Sequence, residues 1–148
     1  LDVTIQAQIL DLLRDVRRDK GVAIVLITHD LGIVAGLAEE MAVLYAGRVV
    51  EHGPVREVYG RPRHPYTRGL LASLPRLNAE GKEALTPIEG SPPSLLTVPS
   101  GCSFHPRCPR RELDVCARDD PPLRQVGPVR SACHFAEDLD KEPASAGR

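Results

Sequence analysis

Four cysteines, Cys102, Cys108, Cys116 and Cys133, fall within one stretch of 32 residues, separated by five, seven and sixteen residues. Thiolates in such a group are ligands for zinc or for an iron–sulfur cluster. Zinc ligands usually stand two to four residues apart, so this is not a standard zinc pattern. Four thiolates suffice for a [4Fe–4S] cluster, whose ligand loops tolerate irregular spacing. Spacing alone leaves three states open: a cluster, zinc, or unlinked thiols. Phe104, His105, Pro106 and Arg107 lie within the first interval, and His134 stands beside the last cysteine. Arg107, Arg110 and Arg111 would offset the charge of a thiolate cluster, although a solvated basic face is the simpler account of them.

His29 is the second candidate. Residues 22–27 form a continuous apolar run of strand length, which predicts a central parallel strand buried on both faces. The run stops at Thr28-His29-Asp30. A strand that ends there and turns into a helix carries His29 to the carboxyl edge of its sheet, where α/β proteins bind ligands. An imidazole at that place either faces a phosphate or merely caps the turn.

The elements around these residues follow from periodicity. Ile5, Ile9, Leu12, Leu13 and Val16 recur at helical spacing, predicting a helix over 3–18 that Asp2 or Thr4 can cap and Gly21 can close. Asp30 stands at the cap position of a second helix, which continues through Leu31, Ile33, Val34, Leu37 and Ala38 despite the cost of Gly32 and Gly36. Helix, strand, turn, helix suits the second half of a doubly wound α/β sheet. Residues 41–45 and 48–51, split by Ala46-Gly47, predict a hairpin. Pro54 suits the first turn of a short helix reaching about Tyr59, and 66–74 predict another after a proline-broken connector. Beyond Pro75 prolines cluster, regular structure is expected to thin, and cysteine chemistry is the candidate for holding this half together. The C-terminal residues, 137–148, are expected to form a disordered tail.

Size and composition bound the reading. At 148 residues, with 42% hydrophobic and 26% charged residues, one main globular core is expected. Tryptophan is absent and Phe104 and Phe135 are the only phenylalanines, so the core is expected to be built from Leu, Ile, Val and Ala. A net charge of -1 without a basic stripe argues against nucleic-acid binding. Thr28-His29-Asp30 interrupts the most apolar stretch, and a central Asp costs about 2.5–3.5 kcal/mol to insert, so no bilayer span is expected. The first residue is Leu1 and no basic leader precedes an apolar stretch, which reads as a truncated start without a signal peptide.

Three linked segments resemble the end of an ABC ATPase domain in order and spacing: Leu1-Asp2-Val3-Thr4-Ile5-Gln6-Ala7-Gln8-Ile9, then Leu26-Ile27-Thr28-His29-Asp30-Leu31, then residues 45–53. Pro62-Arg63-His64-Pro65-Tyr66-Thr67-Arg68-Gly69-Leu70-Leu71 resembles the "HPYT…LL" segment of the oligopeptide/dipeptide group of ABC importers. With Gly90-Ser91-Pro92-Pro93 and the cysteines, the resemblance runs to about Phe135. It implies the C-terminal part of a P-loop ABC ATPase domain of α/β class over 1–60, followed by the irregular Cys/Pro-rich transporter C-terminal region over 61–136.

The resemblance also implies roles. His29 becomes the switch histidine that contacts the γ-phosphate of ATP, and Asp2 ends the D-loop that lies across the ATPase dimer interface. Phosphoryl transfer depends mainly on positioning and charge stabilisation, which an imidazole donor supplies. ATP and Mg2+ are the implied cofactors. The implied partners are ABC permease subunits, an identical or homologous ATPase subunit and, indirectly, an extracytoplasmic peptide-binding protein. The implied place is the cytoplasmic face of the inner membrane. Its reducing milieu disfavours disulfides, and the corresponding cysteines of some peptide-importer ATPases are associated with an iron–sulfur cluster. In intact members the phosphate-cradling loop and the magnesium-positioning carboxylates precede Leu1, so this stretch alone is not expected to hydrolyse ATP. A metal-bound regulatory or binding module, or a related importer for nickel or another small solute, are the competing readings.

Overall fold

A computed structural model describes residues 3–74 and 87–142; Asp2 lies outside the described residues. The chain divides into two compact units, Leu1–Glu39 and Glu40–Arg148.

In the first unit α1, Val3–Lys20, ends with Arg17, Arg18 and Lys20 in its last turn, where the helix dipole favours cations. Gly21, at φ 62°, closes the helix by donating its N–H to the Arg17 carbonyl at 3.0 Å. Asp30 caps α2, Leu31–Leu37, its Oδ1 accepting from the Gly32 and Ile33 amides at 2.8 and 3.2 Å. Arg14 and Arg17 of α1 reach the Gly36 carbonyl and the Glu39 carboxylate at 3.2 and 2.7 Å. Both helices therefore form where capping and periodicity place them.

The apolar run between them does not form the predicted parallel strand. Val25 and Ile27 are 90% and 95% exposed. A parallel strand exists only through hydrogen bonds to neighbours on its edges, and none of the described residues lines up beside 22–27. Its composition suits burial on two faces, but the covering elements are not among the described residues.

The second unit is built on an antiparallel sheet. Strands β1, Glu40–Tyr45, and β2, Arg48–Pro54, form the predicted hairpin, and Ala46 and Gly47 both take positive φ, 47° and 79°, as a tight primed turn requires. Met41, Val43 and Tyr45 alternate inward along β1. Two three-residue strands, β3, Arg124–Val126, and β4, Val129–Ser131, complete the order β1-β2-β4-β3. Helices α3, Val55–Gly60, and α4, Pro65–Ala72, follow β2. A 3₁₀ turn, His105–Arg107, and α5, Leu113–Cys116, shape the cysteine loop.

Two expectations change here. The core is not purely aliphatic: Phe104 is 1% exposed and meets Tyr45 and Tyr66 at ring distances of 5.1 and 5.3 Å. The expected tail begins as helix α6, Ala136–Lys141, because Ala136 and Leu139 are wholly buried with Val126 and Cys133.

Candidate metal centre

The cysteine loop is closed by backbone contacts before any side chain is considered. The Cys102 amide donates to the Cys116 carbonyl at 2.9 Å, and Ser100 Oγ donates to the Ala117 carbonyl at 2.8 Å. Gly101 permits this approach: its φ is +65°, and a Cβ there would stand 2.4 Å from the Cys116 oxygen. Cys108 follows the 3₁₀ turn, its amide donating to the His105 carbonyl at 3.2 Å. Cys133 arrives from β4, its carbonyl held by Arg124 Nη2 at 3.1 Å. The four cysteines, spread over three intervals of sequence, thus line a single cavity.

None of the four is in a disulfide; Cys108, Cys116 and Cys133 are buried and Cys102 partly so. Burial pushes the Cys102, Cys108 and Cys133 thiols up, Cys133 to about 12, and the neighbouring cysteines raise each of them further by repulsion. Against this, the backbone N–H two residues on favours each thiolate: Phe104 for Cys102, Arg110 for Cys108 and Phe135 for Cys133. Arg110 and Arg111 also favour the Cys108 thiolate by charge. Arg107 is otherwise engaged, donating to the Glu89 and Ile88 carbonyls at 2.9 and 3.1 Å.

Such a set cannot lose its protons together without a cation to hold the charge. Among the described residues no group of three or more His, Cys, Asp or Glu side chains is arranged to hold a metal ion.

The His64 to Arg68 segment forms the opposite wall. His64 and Pro65 line the cavity. His64 caps α4, its Nδ1 accepting from the Tyr66 amide at 3.1 Å, with Pro65 at the first helical position. Burial lowers the His64 pKa to about 4, so the ring is neutral. Tyr66 packs on Tyr45 at 4.6 Å. Arg63, 2% exposed, holds Asp140 of α6 at 2.6 Å, while Arg68 donates to Glu142 and the Leu139 carbonyl at 2.6 and 2.5 Å. The segment therefore fastens sheet, cysteine loop and C-terminal helix together. Sequence reasoning singled it out by resemblance and missed this role, because its partners lie some 70 residues away.

Glu51 also escaped sequence reasoning. It is fully buried on β2, opposite Ser131 of β4, with Oε1 accepting from the Arg63 amide at 2.6 Å. Burial raises its pKa to about 7, and Thr67, which faces it, closes no hydrogen bond to its Oε2.

His29 belongs to the other unit. It is exposed at the bend before α2, where Asp30 donates its amide to Thr28 Oγ1 at 3.0 Å. No helix among the described residues is long and apolar enough to cross a membrane.

Residues 50–116 match the family model "Oligopeptide/dipeptide transporter, C-terminal region", which takes in the His64 segment and three of the four cysteines. The chain is 51% identical over 135 residues to the oligopeptide transport ATP-binding protein OppD of Salmonella typhimurium, covering 91% of this chain and 39% of that protein. It is 53% identical over 118 residues to the dipeptide transport ATP-binding protein DppD of Bacillus subtilis, covering 80% and 35%. A putative peptide import ATP-binding protein of Brucella ovis is 50% identical over 131 residues, 85% of this chain and 38% of that one. The chain thus spans about two fifths of the length of the curated relatives it matches. It belongs to the oligopeptide/dipeptide ABC transporter family, as a segment similar to the ATP-binding subunits and carrying that family's C-terminal region.

Proposed function

We propose that this chain works within an ATP-hydrolysing subunit that energises the uptake of oligopeptides or dipeptides. The reading is carried by identity of about one half, across most of the chain, to proteins named for peptide transport and ATP binding. The subunit acts from the cytoplasmic face of the inner membrane, against ABC permease subunits and beside a second ATPase subunit, identical or homologous. An extracytoplasmic binding protein delivers the peptide.

In this reading His29 directs a ring N–H at the γ-phosphate of ATP and orients the attacking water; Mg2+, when bound, would supply charge compensation on the phosphates. Asp30 supports it by fixing the chain direction into α2. Asp2, outside the described residues, acts across the dimer interface and couples the two nucleotide sites. Cys102, Cys108, Cys116 and Cys133 would hold a [4Fe–4S] cluster, which would supply an inorganic cross-link to a region of short elements. The amides of Phe104, Arg110 and Phe135 offset the thiolate charge there.

His29→Ala in the full-length subunit tests the ATPase role. Turnover should fall by about 10²-fold or more, as on removing one donor to developing charge, with ATP binding retained. Unchanged turnover refutes the assignment.

A further inference from the structure

We propose that the Glu51 carboxyl is a protonation-controlled latch on residues 61–68: as the neutral acid it holds that segment against the sheet, and as the carboxylate it lets the segment swing away while the β1–β2 hairpin stays folded.

Glu51 and Ser131 stand opposite each other on β2 and β4, and their side chains grip one residue of the segment from both sides. Glu51 Oε1 accepts from the Arg63 amide at 2.6 Å, and Ser131 Oγ donates to the Arg63 carbonyl at 2.8 Å. Glu51 Oε2 and Thr67 Oγ1 are buried and unpaired among the described residues. As the acid, Oε2–H can donate to the Thr67 oxygen, and both atoms are satisfied without a buried charge. As the carboxylate, the same group needs water that the closed segment keeps out.

The surroundings do little to replace that water. Glu51 is faced by Val43 from β1, by Ser131 from β4 and by Thr67 from α4, while α3 turns its buried Val55 and Val58 inward. From the connector it meets Arg63 and His64. The Arg63 guanidinium is drawn to Asp140 of α6 at 2.6 Å, and the His64 ring is neutral. Burial outweighs the pull of Arg63 and raises the Glu51 pKa to about 7.

The strands hold the backbone of Glu51, whereas the segment covers its side chain. Release breaks the two Arg63 backbone bonds and leaves the hairpin ladder whole. Tyr66, packed on Tyr45 and Phe104 at ring distances of 4.6 and 5.3 Å, opposes it. The open form is therefore rare, and amide hydrogen exchange detects such openings. The closed segment retains a proton between pH 4.5 and about 7 that the open one gives up, so opening grows as pH rises through that window and levels off above it.

The test is residue-resolved amide exchange of the full 148-residue chain from pH 5 to pH 8, as wild type and Glu51→Gln, with rates corrected for the intrinsic pH dependence of exchange. Gln keeps the acceptor for the Arg63 amide, donates to Thr67 as the acid does, and cannot ionise. Protection of the wild-type Arg63 amide should fall by more than about tenfold across that range, with the hairpin amides protected throughout, and should stay level in the variant. Equal falls in both proteins overturn the inference. So does a wild-type Arg63 amide whose protection holds at every pH, or falls together with that of the hairpin. If Glu51→Gln does not fold, the wild-type contrast between Arg63 and the hairpin decides alone.

Discussion

Glu51 holds its carboxyl where water does not reach, with one oxygen on the Arg63 amide and the other unpaired. Its folded pKa of about 7 lies above the ordinary 4.5, so the fold prefers the protonated acid. That preference is whole below pH 4.5, drains away as pH rises from 4.5 to about 7, and is gone above. The loss amounts to roughly 3 kcal/mol at 1.36 kcal/mol per pKa unit. Glu51→Gln keeps the acceptor for Arg63 and cannot ionise. Urea denaturation at pH 5 and pH 8 should therefore show a stability drop in the wild type that is largely absent from the variant; equal drops contradict the burial account. Residue type made Cys102, Cys108, Cys116, Cys133 and His29 candidates from sequence. Glu51 and His64 were not, because what defines them is burial by β4 and by the cysteine loop, contacts that no local pattern announces.

At the scale of elements, the local signals served well. Asp30 capping α2, Gly21 closing α1, Ala46-Gly47 turning the hairpin and Pro65 starting α4 are all short-range chemistry. The run at 22–27 misled because a strand is a property of neighbours as well as of its own residues. Strands β3 and β4 were missed because three residues are too few to show alternation, and α6 because a six-residue helix with two buried apolar positions is too short to show helical periodicity. The closure of the cysteine loop on α5 rests on Gly101. Gly101→Ala would force a side chain into positive φ and against the Cys116 carbonyl. It should cost more than about 1 kcal/mol in thermal or urea unfolding and lower the iron bound per chain, since Cys102 could no longer sit beside Cys116. A variant with wild-type stability and iron content would show that the loop closes by other means.

The whole chain joins a segment resembling an ATPase to a C-terminal region organised around four cysteines. In the second unit, ion pairs from Arg63 to Asp140 and from Arg68 to Glu142 bind α6 and its C-cap to the family's characteristic segment, and Arg110 of the cysteine loop also reaches Glu142. The same segment forms one wall of the thiol cavity. Burial first, and repulsion among the neighbouring cysteines second, disfavour the thiolates of Cys102 and Cys133. The most direct measurement is elemental: iron, zinc and acid-labile sulfide per chain in protein purified without oxygen, with the visible spectrum before and after dithionite. About four iron and four sulfide per chain, with a broad absorption that dithionite bleaches, is the predicted result. Colourless protein with stoichiometric zinc, or with no metal and four free thiols, would contradict it.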